Sequence, residues 1–185
     1  VDGGSDVWAN RYFLGFEPDC NGVVNVSGAE SYLDYLLRIE IGVSGNGSLN
    51  ITDGGMVNSR AVNRDDFLGE NFGSTGKVTV TGPNSIWDSG ANILYLGYEG
   101  KGELIISDGG RVKNNVCQIS AKSSSKSSAK VEGYNSLWDI HHMLTVGYRG
   151  KGNFEILNGG EVRASDGVVG YYKGSSGVVR VCGAG

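Results

Sequence analysis

The sequence is poor in proline, histidine and cysteine, and it contains no long apolar run. Only 2 prolines, 2 histidines and 3 cysteines occur among 185 residues. No stretch approaches the roughly 18 consecutive apolar residues that indicate a membrane-spanning helix. Charged residues make up 19%, with a net charge of -4, whereas nucleic-acid-binding proteins usually present a strongly basic face. We therefore expect neither membrane insertion by this chain nor nucleic-acid binding.

The scarce residue types also leave little material for catalysis or metal binding. His141 and His142 are adjacent, which in a strand would place them on opposite faces. No Gly-x-Ser-x-Gly elbow and no Cys/His spacing typical of zinc occurs. Acid–base cleavage of a polysaccharide needs two carboxylates facing one groove. Asp65 and Asp66 are adjacent, so in a strand they would point to opposite faces, and we interpret them as a solvated corner. We expect no enzyme, no cofactor and no metal site.

Glycine, by contrast, is abundant, and one glycine position recurs with a nearly constant step. The chain has 32 glycines. The recurring markers are Gly22, Gly47, Gly76, Gly102, Gly152 and Gly177, with Ser127 in the missing slot. The steps are close to 25 residues, except for the step of 29 from Gly47 to Gly76. A fixed period of this length is the signature of a repeat architecture.

An apolar residue stands two and four positions after every marker. The fourteen apolar residues are Val24, Val26, Leu49, Ile51, Val78, Val80, Leu104, Ile106, Ala129, Val131, Phe154, Ile156, Val179 and Val181. The residues between them are mostly polar, and this period of two predicts a strand with one buried face.

A strand that returns every ~25 residues predicts a coil that stacks on itself. We therefore predict an all-β, parallel β-helix (solenoid) of about seven coils, forming a single domain over residues 1–185, with layers ~4.8 Å apart. The repeat is incomplete at both ends of the sequence, so we expect a fragment of a longer stacked protein. Dimerisation through the end coils is one further possibility.

The coils alternate between two kinds. One kind carries a Gly-Gly-x-Val turn, as at 54–57, 109–112 and 159–162. The other kind carries Ser-x-x-Asp, as at 31–34, 85–88 and 136–139, with Trp87 and Trp138 in the same slot. The larger unit is therefore a pair of coils about fifty residues long. Residues 29–41 have some helical character, but their place in the repeat predicts a strand, and the Ser/Lys-rich segment 120–130 is predicted to be an exposed corner.

The three cysteines fall in different coils. Cys20, Cys117 and Cys182 are separated by several layers, whereas a disulfide requires Cα atoms within about 7 Å. We predict three free thiols within one chain. They are interpreted as small buried hydrophobic residues, with an exposed Cys182 pairing between chains as the alternative.

Three segments resemble the passenger-associated transport repeat of bacterial autotransporters. They are 94–112 (LYLGYEGKGELIISDGGRV), its second copy at 144–162, and 76–88 (GKVTVTGPNSIWD). This resemblance covers most of the chain from Gly22 onward. It implies a right-handed parallel β-helix that is secreted or displayed on a Gram-negative cell surface by type V secretion. In size and repeat style the chain is also similar to the pro-angiogenic passenger factors of Bartonella.

These resemblances imply a non-enzymatic passenger that binds a host cell-surface receptor. The Bartonella factors imply, more narrowly, an agonist of a vascular endothelial growth factor receptor. The alternative is an adhesin or self-associating stalk that binds matrix or glycans.

Basic and tyrosine residues recur in the later coils and supply candidate contacts for a receptor or a glycan. Lys101 and Lys151 occupy equivalent positions, and tyrosines recur after an apolar-Gly step. The candidates are Tyr98, Lys101, Arg111, Lys113, Lys122, Lys126, Tyr148, Arg149 and Lys151. Stacking would align several of these side chains on one side, facing sulfated glycans or an acidic receptor patch. A merely solvated face, with tyrosines packed on neighbouring coils, is the alternative.

Overall fold

A computed structural model describes residues 1–60 and 64–183 and contains strands and turns, with no helix in these ranges. The strands are β1 (Asp6–Leu14), β2 (Asn21–Ser27), β3 (Tyr32–Ile41), β4 (Asn46–Thr52), β5 (Met56–Ser59), β6 (Asp65–Leu68), β7 (Thr75–Thr81), β8 (Ile86–Asp88), β9 (Ile93–Leu96), β10 (Lys101–Ser107), β11 (Arg111–Asn114), β12 (Val116–Ile119), β13 (Lys126–Glu132), β14 (Leu137–Val146), β15 (Lys151–Leu157), β16 (Glu161–Val169) and β17 (Ser176–Cys182).

The strands form two parallel sheets that the chain visits alternately. The shorter sheet has seven strands in the order β17-β15-β13-β10-β7-β4-β2, one from each coil. The longer sheet has ten strands, because three coils contribute two short strands where the others contribute one long strand. The predicted all-β parallel solenoid of about seven coils is confirmed, and 29–41 contributes β3 as predicted.

Marker glycines allow the two sheets to approach closely at one corner of every coil. Each marker is the second residue of a strand in the shorter sheet, and the markers pair in register, as Gly47 does with Gly76. A Cβ on Gly76 would clash with the carbonyl oxygen of Ile41, so only glycine fits without a shift. Ser127 occupies one of these slots, and its hydroxyl accepts a hydrogen bond from the Gly102 N–H at 2.9 Å.

The predicted inward face is buried wherever coils cover it on both sides. Leu49, Ile51, Leu104 and Ile106 are fully buried. In β17, which lies at the end of this sheet beside β15, Val181 is 70% exposed. The interior is therefore a continuous apolar column that is weakest where a coil has only one neighbour.

The two kinds of coil differ in the size of the core residue that they contribute to the longer sheet. In the longer sheet, Trp87 lies between Val57 and Val112, and Trp138 lies between Val112 and Val162. Both tryptophans are fully buried. A valine separates the two tryptophans in this row, so the repeat of core residues spans two coils.

A hydrogen bond links the two kinds of turn. The N–H of Gly54 donates to the Ser85 hydroxyl at 3.0 Å, and the N–H of Gly109 donates to the Ser136 hydroxyl at 3.0 Å. Each serine opens the Ser-x-x-Asp motif and is fully buried. At these two turns, the serine of the next coil therefore satisfies a backbone donor of the Gly-Gly turn.

The Ser/Lys-rich segment is only partly the exposed corner that was predicted. Ser123 and Ser124 are exposed, whereas Ser120 and Ser125 are buried. The Ser120 hydroxyl donates to the Lys151 carbonyl at 2.8 Å. The buried serines of this segment therefore face the interior, and Ser120 forms a hydrogen bond between coils.

Candidate functional site: a basic and aromatic edge

Corner turns leading from the longer sheet into the shorter sheet are stacked by backbone hydrogen bonds. The N–H of Lys122 donates to the Tyr98 carbonyl at 2.9 Å, and the N–H of Tyr172 donates to the Tyr148 carbonyl at 3.1 Å. Side chains at equivalent turn positions therefore form rows along the axis. An apolar-Gly step precedes the tyrosines and sets the turn, because Gly97 and Gly147 have φ of 72° and 75°.

Three lysines form one row beside these turns. Lys126 pairs with Lys151 across β13 and β15. Lys101 stands at the matching position of β10, two residues before the Glu103–Ser128 pair. Successive ammonium-bearing positions are thus about 4.8 Å apart, and all three residues are exposed.

The turns add two cations that rest on tyrosine rings. The Lys122 Nζ lies 4.8 Å from the centroid of the Tyr98 ring, and the Arg149 Cζ lies 4.2 Å from the centroid of the Tyr172 ring. Tyr148 contacts the same cluster, with its centroid 5.1 Å from that of Tyr172. Cation–π contacts of this kind hold long basic side chains in defined positions.

We call this surface the basic edge and define it by Tyr98, Lys101, Lys122, Lys126, Tyr148, Arg149 and Lys151. Seven of the nine predicted contact residues therefore lie together. Of the lysines, Lys101 approaches a carboxylate, 3.8 Å from Glu103, while Lys122, Lys126 and Lys151 form no ion pair with any described residue. The edge is consequently a local excess of positive charge on a chain of net charge -4.

The other two predicted contact residues, Arg111 and Lys113, lie on a different surface. Both belong to β11 of the longer sheet, and Lys113 sits between Asp88 and Asp139 in the strand register. Its Nζ is 3.9 Å from the Asp88 Oδ2. Carboxylates in the adjacent coils thus offset the charge of Lys113.

The pKa is raised for one tyrosine of the edge and for one tyrosine beside it. A hydrogen bond with Tyr172, followed by burial, raises the pKa of Tyr148. Burial, followed by the charge of Asp65, raises the pKa of neighbouring Tyr95 to about 12. Tyr95 also lies 5.3 Å from Tyr98, between ring centroids. The edge therefore combines cations with aromatic rings.

The interpretation of Asp65 and Asp66 as a solvated corner is wrong for Asp66. Its side chain is fully buried, while that of Asp65 is only half-buried. Adjacent residues of β6 point to opposite faces, as expected, and the inward one is Asp66. A fully buried carboxylate cannot touch a polymer outside the rod.

Four donors surround the Asp66 carboxylate. Oδ2 accepts from the Tyr35 hydroxyl at 2.6 Å, the Ser89 hydroxyl at 2.5 Å and the Asn92 amide at 3.2 Å. Oδ1 accepts from the Ile39 N–H at 3.0 Å. Burial raises the pKa of Asp66, and the hydrogen bonds oppose that shift.

The cysteines and histidines are only partly as predicted. All three cysteines are free, which confirms the absence of a disulfide. Cys117 is buried as predicted, whereas Cys20 is exposed and Cys182 is half-buried. His141 and His142 are both exposed, because they lie where the β14–β16 register shifts between Ile140 and Met143. Strict alternation of faces does not apply there.

Two features were not predicted from the sequence: the hydrogen-bond donors around Asp66 and the exposure of Trp8 on β1. The residues next to Asp66 and Trp8 in the sequence give no local signal of either feature. In residues 1–60 and 64–183, no group of three or more potential metal ligands occurs. The same part of the chain has no helix long and apolar enough to cross a bilayer.

Comparisons with known proteins give one informative similarity. No family model and no solved structure matches the sequence. The chain is similar to the uncharacterized lipoprotein YdeK of Escherichia coli strain K12, with 32% identity over 139 residues. The similarity covers 72% of this chain and 10% of that protein, so the chain spans about a tenth of the length of this curated relative.

Proposed function

We propose that this chain is a binding segment of a secreted or surface-displayed bacterial passenger protein, and that the basic edge binds a polyanionic ligand on host cells, such as a sulfated glycan. The row of Lys101, Lys126 and Lys151 in successive coils carries this proposal. Regularly spaced cations suit a polymer with regularly spaced anions.

Two further observations support an extracytoplasmic binding role. The similar YdeK is named a lipoprotein, which fits a protein outside the cytoplasm. The repeat resembles autotransporter passengers, which fits type V secretion. The buried Asp66 also favours binding over polysaccharide cleavage, because its carboxylate has no access to substrate.

The test compares retention of the purified chain on dextran sulfate and on unmodified dextran, at increasing salt. We expect retention only on dextran sulfate, and Lys126→Glu with Lys151→Glu should weaken binding tenfold or more, roughly 1.4 kcal/mol. Salt should weaken binding in parallel, because exposed charges are screened.

Arg111→Glu with Lys113→Glu is the matched control, since it reverses two charges on the other sheet. Retention close to that of the unmodified chain is expected for this control. Equal losses in the two double variants would show that net charge, rather than the basic edge, determines retention, and would refute the proposal.

A host receptor is the second candidate ligand of the same edge. Tyr171 and Tyr172 are exposed, and Arg149 stacks on Tyr172. Tyrosine and arginine are the residue types that dominate protein interfaces. This candidate would be favoured if endothelial cells treated with the soluble chain showed phosphorylation of their vascular endothelial growth factor receptors. An adhesin or stalk would instead attach cells only when many copies are displayed.

A further inference from the structure

We propose that a cleft on the outer face of the first coils binds an uncharged pyranose sugar. The cleft has a volume of about 550 Å³ and is lined by Asp6, Val7, Trp8, Tyr32, Asp34, Asn58 and Arg60. It lies on the initial part of β1, β3 and β5, whereas the basic edge lies at a corner of the later coils. The inference therefore does not rest on the proposed function.

The cleft presents an aromatic surface to solvent. Trp8 is 60% exposed, whereas Trp87 and Trp138 are fully buried in the core. Trp8 pairs with Asp34 across β1 and β3, and Tyr32 is two residues before Asp34 on the same face. The polarised C–H groups on one face of a pyranose ring are attracted to the negative face of an indole.

A polar group fixed by hydrogen bonds lies beside the indole. Arg60 donates to the Asp34 Oδ2 from Nε at 3.1 Å and from Nη2 at 2.6 Å. Asn58 donates to the Asp34 Oδ1 at 3.1 Å. These contacts pre-organise the three side chains, so less entropy is lost when a ligand binds.

Unused donors and acceptors in this group match sugar hydroxyls. The Arg60 guanidinium has further N–H groups, the Asn58 amide has a carbonyl oxygen, and the Asp34 carboxylate has further lone pairs. Arg60 remains largely exposed, with 64% of its side-chain surface accessible. Adjacent sugar hydroxyls, each both donor and acceptor, can bond to such alternating partners.

The charge of the cleft selects against an anionic sugar. Arg60 offsets Asp34, and Asp6 adds one more negative charge to the lining. A sulfated or uronic acid ring would therefore be repelled here, in contrast to the basic edge. The chemistry favours a neutral hexose, stacked on Trp8 and oriented by Asp34, Asn58 and Arg60.

The experiment uses tryptophan fluorescence, because Trp8 is the exposed one of the three tryptophans in the chain. Acrylamide should quench Trp8 and leave the buried pair nearly untouched. Cellotetraose, mannotetraose and lactose are then titrated up to about 10 mM, a range that detects weak sugar binding. At least one should protect Trp8 from acrylamide in a saturable manner.

Variants separate a specific site from nonspecific shielding. The double variant Asn58→Ala with Arg60→Ala keeps Trp8. It should bind the protecting sugar about tenfold more weakly, because donors to the sugar hydroxyls are lost. Tyr134→Ala, an exposed aromatic elsewhere (75%), should bind as the unmodified chain does. The proposal is overturned if no neutral sugar protects Trp8, if the double variant binds equally well, or if only tetramethylammonium, a cation-π probe, protects.

Discussion

In one row of inward-facing residues, the coil that contributes Asp66 differs in chemistry from the coils on either side of it. In the longer sheet, Asp66 pairs with Leu94, and Cys117 lies between Leu94 and Leu144. Asp66, Leu94 and Cys117 are all fully buried. The same place in the repeat therefore holds a carboxylate with four donors in one coil and apolar side chains in the next three.

The difference extends to the outer face. Burial raises the pKa of Glu40, Asp65 and Glu70, and all three lie in the coils around Asp66. Among the acidic residues of the later coils, a hydrogen bond from Lys130 lowers the pKa of Glu132.

The polar region coincides with the step of 29 residues between Gly47 and Gly76, the longest in the chain. Where the period is regular, apolar residues occupy this row of the interior. Where it is longer, a polar network joins β3 and β6 to Ser89 and Asn92. A solenoid thus tolerates an irregular coil if the interior supplies specific hydrogen bonds.

The largest expected effect comes from placing a carboxylate in the coil next to that of Asp66, where the row is apolar. Leu94→Asp should lower the free energy of unfolding by about 3–5 kcal/mol, because the new charge is buried without donors. Urea unfolding followed by circular dichroism measures this loss. Leu94→Met, which conserves volume, should cost less than about 1.5 kcal/mol. Similar losses for the two variants would contradict the apolar character of this position.

The reverse change tests Asp66 itself. Asp66→Leu should cost about 2–3 kcal/mol, because the Tyr35 and Ser89 hydroxyls and the Ile39 N–H lose their acceptor. Asp66→Leu combined with Tyr35→Phe should cost less than the sum of the single changes, since one orphaned donor is removed.

The neighbouring half-buried Asp65 is the matched control for that cycle. Asp65→Asn should change stability by no more than about 0.5 kcal/mol. Strict additivity of Asp66→Leu and Tyr35→Phe would mean that the 2.6 Å hydrogen bond between them contributes nothing, and the network would not be what holds the irregular coil.

The sequence was sufficient to predict the rod but not this network. Marker glycines and alternating residues such as Leu104 and Ile106 predict strands and their period, because each repeat must bury the same face. Asp66 was misassigned because its donors, Tyr35 and Ser89, come from other coils. Contacts across coils depend on register, which no local pattern around residue 66 encodes.

The basic edge was predictable to a similar extent. The repeat period predicted that Lys101 and Lys151 occupy equivalent positions. In the structure, Lys126 lies in the same row, paired with Lys151. Arg111 and Lys113 were assigned to the same surface because of their charge alone. They follow the next turn of the chain and therefore lie in the longer sheet. Period fixes which coil a residue occupies, whereas its face and its neutralising partners require the three-dimensional register.

The smallest expected effect is a difference in pH dependence between the two regions. Burial raises the pKa of Asp66, so the folded state binds its proton more tightly than the unfolded state. Its contribution to stability is therefore present below the ordinary carboxyl pKa of about 4 and is lost as pH rises through the folded value. Asp66→Asn should remove this decline, measured as the slope of unfolding free energy against pH.

Glu132 provides a control of opposite sign. Its pKa is lowered by Lys130, so its contribution is present above the ordinary carboxyl pKa and is lost as pH falls. Glu132→Gln should make the decline with rising pH steeper, whereas Asp66→Asn should make it shallower. The comparison fails if both variants keep the slope of the unmodified chain, because the buried carboxylate would then titrate as it does in the unfolded state.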